Sequence, residues 1–232
     1  MIIHTSKYDD LYHINDHRLK MDSQQKQYCL HDLAKIIMKH SLSDKIGITL
    51  LHTHFDVKRD EIILRQYNNN LAEHISSVIK MDNIPANSYV SQVHFTEVQD
   101  GFIPTPVLLT QSPMGFQRND SLENMNINFI EDITSILKKY EATHIFGLCT
   151  VEVYHDDSVS SDFIFLETND SRKRTLITKL VNKMHSPTSY EETSWKATAE
   201  GYKLIAECIT ICEKSTLPSG HTQHIDKGHS EL

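Results

Sequence analysis

The sequence predicts an α+β fold with a mainly antiparallel sheet and two principal helices, at 24–41 and 129–140. Two observations carry this. These segments repeat apolar residues at helical spacing, whereas nine others read as strands. The strand runs also follow one another across short breaks instead of alternating regularly with helices, which disfavours a parallel βαβ sheet.

The first helix reads from the stripe Leu30, Leu33, Ala34, Ile37 and Met38. Asp22 or Ser23 can cap its start, with Gln25 three residues after Asp22. The second reads from Phe129, Ile130, Ile133, Leu137 and Tyr140. Asn128 and Glu131 are spaced as a capping pair, and Lys138 and Lys139 stand where the helix dipole favours cations. Strands are expected at 46–55, 62–67, 89–98, 102–110, 144–154, 163–168, 174–181, 193–198 and 202–212, with hairpin turns at 156–161, 169–171 and 199–201. Residues 1–21 show no clear period and read as a loose arm. Residues 22–214 read as a single domain, 111–126 as a loop within it, and 215–232 as an irregular His-rich tail. No repeat of 20–50 residues is visible.

The chain has 232 residues, 39% of them apolar, enough for one domain with a real core. No apolar run approaches the roughly 20 residues that span a bilayer. The stretch Met1–Asp10 lacks the apolar centre of a signal peptide, so a cytoplasmic protein with no membrane partner is expected. A net charge of −8 argues against a broad nucleic-acid footprint. There is no GxxxxGK[ST], no GxGxxG and no GxSxG, so no nucleotide cofactor and no hydrolase elbow is expected. The four cysteines, at 29, 149, 208 and 212, read as thiols or ligands rather than a disulfide frame. The 15 histidines would carry the charge from −8 to +7 if all were protonated, which raises a pH-responsive role.

The most informative stretch is Gly47-Ile-Thr-Leu-Leu-His-Thr-His-Phe-Asp-Val. In a strand, Ile46, Ile48, Leu50, His52 and His54 share one face, and its apolar start points that face inward. Buried imidazoles need hydrogen bonds or a metal. His52 and His54 can converge on one divalent ion, Zn(II) or Fe(II), with a further ligand from Asp60 or from His94 on another strand. Asp56 and Glu61 are the nearby carboxylates that can serve as catalytic base, and Asp56 or Glu61 can equally complete the ligand set. The alternative is that both histidines simply hydrogen-bond to neighbours at the strand end.

His52, His54 and Asp56 resemble the metallo-β-lactamase motif HxHxDH, but the final motif position is Val57. The HxH pair is also similar to the opening of amidohydrolases, whose barrel is longer than this chain, and to a cupin signature whose spacing differs. A longer resemblance runs from about residue 46 to the C-terminus. Leu50 to Phe55, Pro104 to Pro106, Tyr140 with Phe146 to Leu148, and Cys208 to His229 resemble features of a group of small, largely fungal uncharacterised proteins. That resemblance implies no activity.

Cys208 and Cys212, followed by His221, His224 and His229, have the residue types of a zinc site. On a strand, positions four apart are about 13 Å apart, so at most one of the two cysteines can bind a given ion. A core thiol is the simpler reading. Glu152, His155, Glu167, Arg172 and Arg174 can form a carboxylate or phosphate site or ordinary cross-strand pairs. Trp195, the only Trp, can line a pocket or fill the core. Two functions remain in play: a metal-dependent, hydrolase-like enzyme acting on a small molecule, or a non-catalytic binding or assembly protein with a structural His pair.

Overall fold

Helix α1 (Ser23–Lys39) begins where Asp22 accepts the backbone N–H groups of Gln24 and Gln25 at 3.0 and 3.2 Å. Helix α2 (Ile127–Lys139) begins at Asn126, not at the Asn128–Glu131 pair; the Asn126 side chain accepts the Asn128 N–H. The helices bury the stripes read from sequence except for Met38, which is exposed, and Tyr140, which is half-buried at the α2 C-cap; residues of positive φ, Ser41 and Glu141, follow the two helices. The computed structural model describes residues 8, 11–14, 16, 21–68, 73–99, 101–112, 122–151, 162–170, 172–183, 190–209, 212–216 and 222–226. Among the described residues no helix is long and apolar enough to cross a membrane.

Ten strands close into a barrel: β1 (Ile46–Leu50), β2 (Glu61–Asn68), β3 (Glu73–Lys80), β4 (Ser88–Val98), β5 (Gly101–Gln111), β6 (Phe146–Thr150), β7 (Phe163–Asp170), β8 (Thr175–Asn182), β9 (Tyr190–Thr198) and β10 (Gly201–Ile209). Their order around the barrel is β1-β6-β4-β5-β2-β3-β8-β7-β10-β9, and β9 closes on β1. This corrects the expected α+β fold with a mainly antiparallel sheet. The sheet is closed and mixed, with parallel contacts between β2 and β5 and between β7 and β10. Closure could not be read from strand patterns, because it depends on which distant edges meet. Strand β3 was not expected: its sequence, EHISSVIK, alternates weakly. Nor were β11 (Cys212–Thr216) and β12 (Thr222–Asp226), which pair antiparallel in a region read as a tail from 215.

The two halves of the chain build the barrel in the same way. Each supplies a helix, a short buried strand and four further strands. The neighbours β6-β4-β5-β2-β3 on one side correspond to β1-β9-β10-β7-β8 on the other, and these two series meet antiparallel at β1–β6 and β3–β8. The registers agree residue by residue. Arg65 stands beside Ser76 and Thr110; its counterpart Glu167 stands beside Thr178 and Cys208. Bulges fall at matching places, around Ser91 on β4 and Thr193 on β9. The repeat unit is about a hundred residues long, beyond the 20–50-residue window of solenoids, and its halves share few identical residues.

The helices are clasped reciprocally. Asp32 accepts Lys139 Nζ at 2.8 Å and Tyr140 OH at 2.9 Å; Asp132 accepts Lys39 Nζ at 2.7 Å and His40 Nε2 at 2.8 Å. Lys139 foremost holds the Asp32 carboxyl below its usual range, and Lys39 does the same for Asp132.

Two apolar clusters sit on opposite faces of the strands. Ile46, Ile48, Leu50, Ile62, Leu64, Leu109 and Trp195 join the helices to the outer face of the sheet. Leu51, Phe55, Ile63, Leu108 and Leu176 pack together inside, joined by Tyr8 and Leu11 from the segment read as an arm. A Cβ on Gly147 would stand 2.2 Å from the Val93 carbonyl oxygen, and one on Gly47 would stand 2.8 Å from the Trp195 carbonyl oxygen. These two glycines occupy equivalent places and let the central strands approach closely.

Candidate metal centre

The strand-end histidines do not continue the Ile46–Ile48–Leu50 row. Strand β1 ends at Leu50, and the chain leaves the sheet before His52. The turn is held by His52 itself, whose Nδ1 lies 2.8 Å from the Leu50 carbonyl oxygen. The pair reaches a pocket it shares with Thr49, a residue of opposite parity to Leu50. A cavity of about 40 Å³ lies there, lined by Thr49, His52, His54, Arg65, Ser76, Gln92 and Glu167 together with apolar residues including Phe55, Ile63 and Leu108. The segment is pinned from several sides. Thr53 bridges to His13, Tyr8 OH accepts the His54 N–H at 3.2 Å, and Asn169 Nδ2 donates to the His54 carbonyl at 3.1 Å.

A carbonyl only accepts, so His52 Nδ1 carries the proton and, in the neutral ring, Nε2 carries a lone pair. Burial foremost pushes the His52 imidazole below its ordinary range, favouring that neutral form. His52 Nε2 faces His54 Nε2 at 2.9 Å. Only a shared proton or a cation makes such an approach favourable. Cys208 Sγ lies 3.8 Å from the same His54 Nε2. With the Glu167 carboxylate, these ligand atoms all fall within 4.8 Å of one another. On a tetrahedral zinc with Zn–N about 2.05 Å and Zn–S about 2.3 Å, two nitrogens stand about 3.3 Å apart and nitrogen and sulfur about 3.6 Å. The sulfur–nitrogen separation of 3.8 Å is close to the second value, and the two nitrogens at 2.9 Å stand about 0.4 Å closer than zinc would hold them.

Glu167 is placed from its second oxygen as well. Thr193, at the β9 bulge, donates to Oε2 at 3.1 Å, and Arg65 Nη2 lies 3.7 Å from Oε1. Both members of the Arg65–Glu167 pair are about 5% exposed, so each needs the other to offset its desolvation. Cys29 and Cys149, by contrast, stand outside the cluster, and burial pushes both thiols up to about 12, as inert core groups.

Of the residues singled out from sequence, His52 and His54 enter the cluster. His94 does not: it is buried on β4 with Nε2 3.4 Å from Thr96 Oγ1. Asp60 lies at the exposed start of β2, 3.9 Å from Lys80. Glu61 pairs with Arg174, which holds its carboxyl down to about 2, and Arg174 also donates to the carbonyl of exposed Asp56. Trp195 is fully buried in the helix-facing core. Arg172 is exposed. Glu152, His155, His221 and His229 lie outside the described residues, as do the side chains of Cys212 and His224. The residues that complete the cluster had weak sequence signals. Glu167 reads as a sheet-surface acid, Cys208 as a core thiol, and Arg65 as one charge in an apolar strand. That last anomaly was the best available pointer, because a buried Arg requires an acidic partner.

Comparisons with protein-family models, with curated proteins and with solved structures gave no match to this chain.

Proposed function

We propose that this protein holds one divalent transition metal, zinc or Fe(II), inside its barrel and uses it in hydrolase-like chemistry on a small molecule. His52 Nε2, His54 Nε2 and Cys208 Sγ are the three fixed ligands. Glu167 faces the remaining position, where it orients a metal-bound water and accepts its proton. Three protein ligands with an open fourth position is the usual arrangement of a catalytic zinc, which lowers the pKa of its water toward about 7. One observation carries the reading: the two imidazole nitrogens approach to 2.9 Å with a thiol and a carboxylate beside them. Soft thiolate and imidazole donors favour zinc over magnesium or calcium.

Four donor groups also suit a closed structural site, with Glu167 as the fourth ligand. In the open arrangement the Thr193 hydrogen bond to Glu167 Oε2 and the Arg65 guanidinium 3.7 Å from Oε1 hold the carboxylate in place as the base. The first test is metal content on protein purified without a His tag. About one equivalent is expected. Less than about a tenth, unrestored by added zinc or Fe(II), removes the proposal. A loaded centre with no exchangeable water, by electron-nuclear spectroscopy on a paramagnetic substitute, selects the structural reading instead.

A further inference from the structure

We propose that the barrel centre takes a small monoanion, a carboxylate or an inorganic oxyanion, gripped by Arg65 beside the metal. This rests on the metal reading above and names the ligand class of the same site. A divalent ion with a Cys208 thiolate, a Glu167 carboxylate and the Arg65 guanidinium leaves a net charge of +1 inside the barrel. The histidines add nothing while neutral. His13 and Glu191 also act on His52, and Glu191 shares Lys26 with Glu192, at 3.2 and 3.3 Å. An unbalanced charge in so enclosed a place is costly, and one bound monoanion cancels it. A substrate or product carboxylate does so when bound.

A cavity of about 40 Å³ holds a group of about formate size, not a nucleotide or a sugar. Arg65 lines that cavity, as do Gln92 and Thr49, whose side chains are joined by a 2.8 Å hydrogen bond. Arg65 Nε donates to Ser76 Oγ at 3.2 Å, which fixes the plane of the planar fork. A guanidinium held in one plane presents parallel N–H groups suited to two oxygens of one anion. Its counterpart across the internal two-fold is the acid Glu167, so the frame sets one cationic and one anionic side chain facing each other across the centre.

The test uses the Co(II)-loaded protein, with formate as the probe. Titration should change the visible d–d bands saturably while the thiolate-to-cobalt band persists. Arg65→Gln should weaken formate roughly 10- to 100-fold, the scale of a charge-assisted contact, with the thiolate-to-cobalt band still present. Where Arg65→Gln fails to fold because Glu167 loses its partner, Arg65→Lys decides: it keeps the charge and loses the fork, so about a tenfold weakening is expected. A loaded wild type whose bands ignore formate overturns the anion proposal alone, as does a folded Arg65 variant that binds formate like wild type. A protein that takes up no metal overturns the metal reading, and the charge argument falls with it.

Discussion

The two halves of the barrel share one backbone plan and carry different chemistry. Arg65 and Glu167 hold equivalent places, as do Thr110 and Cys208, and Ser91 and Thr193. In the first half Thr110 donates its hydroxyl to Ser91, and the network closes on itself at 2.7 Å. In the second half the same bulge turns Thr193 toward Glu167, and the Thr110 position carries a sulfur 3.8 Å from His54. Two residues past the end of β1 stands His52; two residues past the end of β6 stands Glu152, outside the described residues. A symmetric frame thus positions side chains from both halves at one centre, and substitution on that frame, not a change of fold, makes it asymmetric.

That contrast predicts where changes will hurt. The largest effect is on metal content. His54→Ala or Cys208→Ala should abolish stoichiometric binding, whereas Thr110→Val, at the equivalent place in the other half, should leave it near one equivalent by elemental analysis. Equal loss from all three would mean that the centre does not discriminate the halves. Next in size is Gly147→Ala, which drives a methyl into the Val93 carbonyl and should cost about 3 kcal/mol or more in denaturant unfolding. Its counterpart Gly47→Ala meets a longer backbone contact and should cost about 1–2 kcal/mol. Similar costs at the two sites would show that the strand approach is more symmetric than these distances.

Smaller effects come from the charges that tie the halves together. Glu61, at the start of β2, pairs with Arg174 in the β7–β8 turn. Its carboxyl, ordinarily near 4.5, sits at about 2 in the folded protein. The unfolded chain therefore binds the proton first on acidification. The pair's contribution is complete above about pH 4.5 and is lost as pH falls toward about 2. Arg174→Asn, chosen because Asn tolerates the φ of 52° found there, should flatten the fall in Tm between pH 5 and 2.5. An unchanged acid limb would place the stabilisation elsewhere. Smallest of all should be Asp32→Asn and Asp132→Asn. Each loosens one side of the helix clasp at a partly exposed site, with Tm losses below that of either glycine variant.

Much of the local structure was legible because it depends on residues close in sequence. The stripes of α1 and α2 mark their buried faces, and Asp22 caps α1 as its position implies. The second helix start was misplaced by two residues, since Asn126 and Asn128 are equally good caps on paper and only the chain's entry angle selects one. His52 and His54 were legible as a pair because two imidazoles at the end of an apolar run need partners wherever that run is buried. The face they occupy was not legible. A chain that leaves its strand after Leu50 no longer obeys the alternation from which that face was inferred.

By itself the sequence determined two amphipathic helices, most of the strands and a pair of histidines in need of a third partner. Local period and residue chemistry are enough for those. Tertiary structure alone decided that the sheet closes, that its two halves repeat, and that Glu167 and Cys208, more than a hundred residues downstream, complete the cluster instead of Asp56, Asp60, Glu61 or His94. Those choices depend on which strand edges meet and in what register. That is set by burial over the whole barrel, and no short window of sequence contains it.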